Sequence, residues 1–384
     1  MKRVAVYYPW IHLRGGAERA VLEIVRRSRH RCTVFTNHLD LEQTYPEFRH
    51  YGNVRVLKRV PVERSFGKVI AAAATILLQK LDLREFDVLL VSSEGLGDLI
   101  TFRNAEKPIV CHCHTPVRPV YDSVYRRTWL DRHPGSRMPL TAFSLLYSVV
   151  TRMAWRHYRR VFVNSREVAA RIAAGRICPA DKVEVVHSGV AHERVHATFT
   201  YRPFFLYAGR IKWTKNVRLA IEAFQEFEKL ADAVSGEWRL VVAGSVDRGS
   251  SQYYTELRQR VHGDARVEFR LNPSEDELGA LYDQCAALVY PSLNEDWGLV
   301  PLEAMAYGKP VLAVNRGGPT ESIVAGETGF LLEPSAAAFA AKMTWLVEHP
   351  EEARRMGVAA AARAKEYSWD AFVQRLDDYI EQHC

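Results

Sequence analysis

No stretch of this 384-residue chain approaches the ~20 consecutive apolar residues that a helix needs to cross a bilayer. The longest apolar run, residues 69–78, is about half that length. The first residues, Met1 to Pro9, carry too short an apolar run for a signal peptide, with no small-residue cleavage site after it, and read as a strand. Cysteine is scarce, six in all with no C-x-x-C, which argues against a disulfide framework and for a reducing cytoplasm. A G-x-G-x-x-G fingerprint is missing, since Gly95 and Gly97 lack the third glycine, and a dinucleotide oxidoreductase is disfavoured. A P-loop, a G-x-S-x-G elbow and an H-E-x-x-H helix are missing as well.

Acidic residues are thin in one half of the chain. Through residue 200 there are 32 Lys and Arg against 18 Asp and Glu, and beyond it 20 against 27, so the net charge of +7 hides an asymmetry. Between Arg118 and Arg160 nine arginines stand with two acids, interleaved with Tyr121, Tyr125, Trp129, Phe143, Tyr147, Trp155 and Tyr158. That mixture beside apolar residues 143–146 fits the headgroup region of an anionic membrane. The same residues could hold phosphates and stack bases, which keeps nucleic acid as a rival, or could form a plain solvated face.

What the chain does have is length for two cores and 48% hydrophobic residues. Apolar β-rich runs alternate with helical patterns, which implies α/β architecture with parallel sheets. Strands are expected at 3–8, 31–36, 54–57, 88–92, 109–112, 160–164 and 183–187, then at 204–209, 239–243, 267–271, 286–290 and 310–314. Helices are expected at 17–29, 166–172, 215–230, 251–261, 275–284 and 336–348, with Ser274-Glu275-Asp276-Glu277 as a capping box. Patterning lapses near 189–203. The domains expected are therefore 1–195 and 200–365, each Rossmann-like, with an amphipathic helix in 366–384. Two such domains would leave a cleft for ligand.

The segment Asn294-Glu295-Asp296-Trp297-Gly298-Leu299-Val300-Pro301-Leu302-Glu303 reads as the turn and helix start after a strand. Open α/β sheets bind ligands at that end, and free N–H groups of the helix start attract anions. Glu303 lies in an apolar run, where a carboxylate is costly to bury unless something hydrogen-bonds it. Two carboxylates could serve as acid and base of a hydrolase, or one could meet a sugar and the other ribose hydroxyls. Upstream, Gly209-Arg210-Ile211-Lys212-Trp213-Thr214-Lys215 follows a strand, and Arg210 with Lys215 could hold two phosphates at once. In the first half, Arg14-Gly15-Gly16-Ala17-Glu18-Arg19 opens a helix, and Gly15 and Gly16 would let backbone N–H groups reach an anion. Cys111-His112-Cys113-His114 invites a metal reading. However, strand alternation parts the cysteines from the histidines, and no second ligand pair stands at zinc spacing, so no metal is expected.

Taken together these strings resemble family 4 retaining glycosyltransferases of the GT-B fold. The carboxylate pair is similar to the family's E-x7-E signature, Arg210 and Lys215 to its diphosphate clamp, and residues 15–19 to its GGAER loop. His114-Thr115-Pro116-Val117-Arg118 with Tyr121-Asp122 resembles a string of bacterial GDP-mannose-using members. The resemblance, which spans Arg14 to Glu321, implies a mannosyltransferase of lipid-linked oligosaccharide or O-antigen assembly. It implies two facing Rossmann-like domains with a C-terminal helix crossing back. Glu303 would bind ribose hydroxyls, and Glu295 with the Trp297, Gly298 and Leu299 backbone would orient the sugar. Arg210 and Lys215 would stabilise the departing diphosphate, His114 would approach the sugar, and Arg118 and Asp122 would shape the acceptor side. Trp297 stands where the family commonly has Phe, a larger ring expected to reshape the sugar pocket. No D-x-D is present, in agreement with transfer that needs no metal or other cofactor. The implied partners are a nucleotide-sugar, with GDP-mannose first, a glycan or polyprenyl-linked acceptor and an anionic membrane at its cytoplasmic face, with no nucleic acid. Two alternatives stay open: a UDP-sugar enzyme with a soluble acceptor, and a non-catalytic glycan- or nucleotide-binding subunit.

Overall fold

The computed structural model describes residues 1–62, 65–230 and 238–384. The chain divides into two compact units, Met1–Ser188 with Trp369–Cys384, and Gly189–Ser368. Residues just after Ser188 join the second unit because Val190 bridges Ser368 and its N–H donates to the Tyr367 carbonyl at 3.1 Å.

The first unit is built on strands β1 (Arg3–Tyr7), β2 (Arg31–Thr36), β3 (Val54–Val56), β4 (Val88–Ser93), β5 (Ile109–Cys113), β6 (Tyr158–Val163) and β7 (Val183–Val185). They form one parallel sheet in the order β3-β2-β1-β4-β5-β6-β7. Strands β4 and β5 are buried on both faces, which is why they read as continuous apolar runs rather than alternating ones. The second unit repeats the plan with β8 (Phe204–Ala208), β9 (Arg239–Gly244), β10 (Val267–Leu271), β11 (Ala287–Tyr290), β12 (Val311–Val314) and β13 (Gly329–Leu332), ordered β10-β9-β8-β11-β12-β13. Both orders run outward in two directions from the first strand, the doubly wound arrangement whose loops at the carboxyl ends of the strands make binding sites.

Every expected strand is present to within two residues at either end; β13 had not been expected. Helices Phe66–Leu78, Ser123–Arg132, Arg137–Trp155 and Pro350–Ala364 were not expected either. Trp155 and Tyr158, expected at a membrane surface, are instead core residues, and Tyr147 is buried with them. The reason is Asp98, which lies wholly inside the unit. The Trp155 indole N–H donates to its Oδ2 at 2.8 Å and the Tyr158 hydroxyl to its Oδ1 at 2.7 Å.

The last helix, Trp369–His383, belongs to the first unit and lies against helix Gly16–Arg27. Asp377 holds it there, accepting from the Ser28 hydroxyl at 2.7 Å and the Arg29 N–H at 2.8 Å. All six cysteines are free.

Burial pushes the Asp98 carboxyl up to about 6, against an ordinary 3.8, and the Tyr158, Trp155 and Ser93 donors only partly offset it. A folded-state pKa raised in this way means the native unit keeps a proton that the unfolded chain releases. Stability from this group is therefore largest below pH 4 and declines up to pH 6. Relative to Asp98→Asn, which does not titrate, the unfolding free energy of the protein should fall by about 2 kcal/mol between pH 4 and pH 7. Urea unfolding followed by tryptophan fluorescence measures this, and a pH-independent difference would contradict it.

Candidate functional site

In the second unit, β11 ends at Tyr290, and helix Leu299–Ala306 begins after eight intervening residues. The turn into the helix passes through Gly298 at φ 93°, a left-handed conformation that a side chain would strain. Pro301 lies in the first turn, where its missing N–H costs nothing, and Leu302, Ala304 and Met305 pack inward.

Glu295 lies in the loop before this helix. Its Oε2 accepts the Tyr290 hydroxyl at 2.6 Å and the Ser292 hydroxyl at 3.0 Å, and the Lys215 ammonium donates to the same oxygen. The ammonium reaches Tyr290 as well, at 3.3 Å. Both side chains of the ion pair are mostly buried, at 17% and 14% exposure, so the surrounding hydroxyls are what make a charged pair tolerable here. Burial, and then the Glu295 charge, raise the Tyr290 hydroxyl well above its ordinary range, which keeps it a donor.

Lys215 is delivered by a 3-10 turn, Trp213–Lys215, that closes on Asn216 in a left-handed conformation at φ 52° before helix Val217–Leu230. Arg210 follows β8 after Gly209, and the Tyr207 hydroxyl fixes its backbone by donating to its carbonyl at 2.9 Å. Among the described residues no acid pairs with the Arg210 guanidinium, so its charge is available to an anion.

Glu303 sits on the second turn of the helix, half-buried. The Tyr282 hydroxyl donates to its Oε2 at 2.9 Å, and Tyr282 in turn stacks on Tyr307 at 5.7 Å. A carboxylate held in this way can accept further hydrogen bonds from a hydroxylated ligand.

The loop between the two glutamates rests on a neighbouring loop. The Gly318 N–H donates to the Glu295 carbonyl at 2.8 Å, and residues 295 and 317 form a parallel bridge. A Cβ on Gly317 would stand 2.2 Å from the Glu295 carbonyl oxygen, and one on Gly318 2.2 Å from that of Trp297. The Trp297 ring itself does not reach a ligand. It is 3% exposed and packs edge-on against Tyr367 at 5.2 Å, so the expectation that it reshapes a sugar pocket is corrected: only its backbone is available.

The remaining sequence-derived residues lie in the first unit. Gly15 precedes helix Gly16–Arg27 with an extended φ of −113°. A Cβ there would come within 2.6 Å of the Glu18 carboxylate, which folds back beside this helix start. His114 follows β5, 8% exposed, with Nε2 2.8 Å from the Ser92 hydroxyl and its ring 4.4 Å from that of His112. Asp122 caps helix Ser123–Arg132 through the Tyr125 N–H at 2.9 Å and pairs with Arg118 at 2.9 Å and Arg171 at 3.5 Å. Burial alone would raise its pKa, but Arg118, Arg171 and the helix N–H together hold it below the ordinary value. These contacts occupy Asp122 structurally. Among the described residues no cluster of three His, Cys, Asp or Glu could hold a metal ion.

Tyr290, Ser292 and Tyr282, which hold the two glutamates, were not singled out from the sequence. Tyr290 had a signal, since it is the last strand residue before the loop. Tyr282 had none, because its contact to Glu303 links two helices.

The family model described as Glycosyltransferase Family 4 matches residues 14–194, and that described as Glycosyl transferases group 1 matches residues 191–363. The human protein named alpha-1,3/1,6-mannosyltransferase ALG2 is 28% identical over 95% of this chain and 92% of its own. The Dictyostelium discoideum protein of the same name is 32% identical over 47% of this chain, and that match spans about half its length, 46%. Among solved structures, Anabaena HepE in complex with UDP and glucose superposes with a TM-score of 0.73, covering 99% of this chain and 100% of that one at 18% identity. That likeness establishes the GT-B fold.

Because Gly318 carries the loop on its backbone, Gly318→Ala should destabilise the protein by about 1–3 kcal/mol, as overpacking does. It should also speed amide exchange at residues 294–298. Unchanged exchange there would show that the loop does not depend on this contact.

Proposed function

Since the chain belongs to glycosyltransferase family 4, we propose that it is a retaining mannosyltransferase, moving mannose from GDP-mannose to a glycan carried on a polyprenyl diphosphate. The observation that carries this reading is the Lys215–Glu295 pair, its carboxylate on the loop before helix Leu299–Ala306 and its ammonium on the turn Trp213–Lys215, in the unit that also presents Arg210. It combines a cation for a phosphate with a carboxylate for a sugar. The human and Dictyostelium relatives, both named mannosyltransferases, support the choice of sugar.

In this reading Glu303, steadied by Tyr282, accepts hydrogen bonds from the ribose hydroxyls. Arg210 and Lys215 take the diphosphate, and the first N–H groups of helix Leu299–Ala306 add partial positive charge. Charge neutralisation of this kind needs no metal ion or other cofactor. Glu295 and the Trp297–Leu299 backbone orient the mannose. The bond from the sugar C1 to the diphosphate oxygen breaks, and a bond from C1 to the acceptor oxygen forms on the same face. The acceptor proton passes to the departing diphosphate oxygen. His114 approaches the sugar, and Arg118 with its partner Asp122 shapes the acceptor side. The acceptor brings the protein to an anionic membrane surface, at its cytoplasmic face, as a peripheral protein; no described helix is long and apolar enough to cross a membrane. An intact Arg210, Lys215, Glu295 and Glu303 set speaks against a non-catalytic binding subunit.

Purified protein offered GDP-mannose and a polyprenyl-diphosphate glycan should release GDP, with UDP-glucose a poor donor. Arg210→Ala and Lys215→Ala should each lower kcat by about 10²–10³-fold. A preference for UDP-sugars would overturn the mannose assignment, and full activity in both variants would overturn the diphosphate clamp.

A further inference from the structure

Helices Phe66–Leu78 and Arg137–Trp155 pack against the same segment, Leu96–Arg103, and share one hydrophobic core through Ala72, Ile76, Leu99, Ile100, Ala154 and Trp155. What they leave outside is unusual. Helix Arg137–Trp155 exposes Met138 by 83%, Leu145 by 68%, Leu146 by 69%, Val149 by 52% and Met153 by 47%. Helix Phe66–Leu78 exposes Ile70 by 50% and Leu78 by 69%, with Ala71 and Ala74 on the same side. Single exposed aliphatic residues need no explanation, but rows of them on two helices that pack against one segment do.

The charges select what covers this surface. Neither helix contains an Asp or a Glu. Arg137 and Arg152 lie on one helix and Lys68 on the other, with Arg103 and Arg156 exposed at the edges. Lys80 is exposed too and pairs with Glu106 at 2.7 Å. A second copy of this chain would set one basic face against another. An anionic bilayer interface fits both features, since it takes aliphatic side chains at the acyl boundary and Lys and Arg among the headgroups. Among the described residues no helix qualifies to cross the membrane, so these two would lie in its plane.

We propose that helices Phe66–Leu78 and Arg137–Trp155 together form the surface by which the protein docks on an anionic lipid bilayer, with Ile70, Leu78, Leu145, Leu146 and Val149 entering the interface. This rests on the membrane-surface reading above and adds a second helix to it. That helix lies outside the Arg-rich stretch from which the sequence implied a membrane.

The test is flotation of the full chain with phosphatidylglycerol-rich vesicles against pure phosphatidylcholine vesicles at low salt. The unaltered protein should float only with the anionic vesicles, and less so as salt rises. Ile70→Gln with Leu78→Gln should weaken partitioning by about tenfold, as should Leu145→Gln with Leu146→Gln, and all four together should abolish it. These positions are exposed, so circular dichroism and GDP-mannose binding should match the unaltered chain. If the unaltered protein floats and the Ile70/Leu78 variant floats equally well, the two-helix surface is wrong and the membrane reading survives. If the unaltered protein stays behind, both fall. A concentration-dependent dimer that the variants lose, without flotation, would assign the surface to a second copy instead.

Discussion

The loop from Asn294 to Gly298 is held by backbone contact. Gly317 and Gly318 bring their main chain so close to Glu295 and Trp297 that a methyl group at either position would overlap a carbonyl oxygen. Both glutamates depend on this. The contact sets where Glu295 lies relative to Tyr290 and Lys215, and it sets the direction in which helix Leu299–Ala306 leaves, hence the position of Glu303. A loop supported only by side chains could shift by rotamer changes, whereas two glycines against two carbonyls leave little room to move.

Around this fixed loop the electrostatics are arranged in two ways. Glu295 and Lys215 neutralise each other inside a ring of hydroxyls, while Arg210 has no acidic partner among the described residues. One cation is thus shared with a carboxylate and the other is free for an anion. An anion arriving between them would compete with Glu295 for Lys215, so anion binding and the position of the Glu295 carboxylate are linked. In the first unit the buried Asp98 ties the end of helix Arg137–Trp155 to β6 and so fixes which side of that helix can be exposed.

Much of this was legible in the chain. The central strands read correctly because residues buried on both faces leave uninterrupted apolar runs, and the Glu295–Glu303 spacing, the Arg210–Lys215 spacing and the Gly15–Gly16 pair are local. Helices Phe66–Leu78 and Arg137–Trp155 were missed for one physical reason. A helix with aliphatic residues on its solvent side loses the polar–apolar alternation by which a helix is recognised. The feature that hid them from sequence reading is the one that marks them as a docking surface.

The sequence by itself determined the α/β class, the two repeated sheets, the family resemblance and the identity of the charged residues near each strand end. These follow from composition and near-neighbour spacing, which a linear chain displays. The tertiary structure alone decided that Lys215 pairs with Glu295, 80 positions away. It also decided that Tyr282 supports Glu303, that Trp297 faces the core, and that Trp155 and Tyr158 serve Asp98 rather than a membrane. Burial and partnership depend on which distant segments the sheet order brings together, and the residues on either side of a position in the chain carry little information about that.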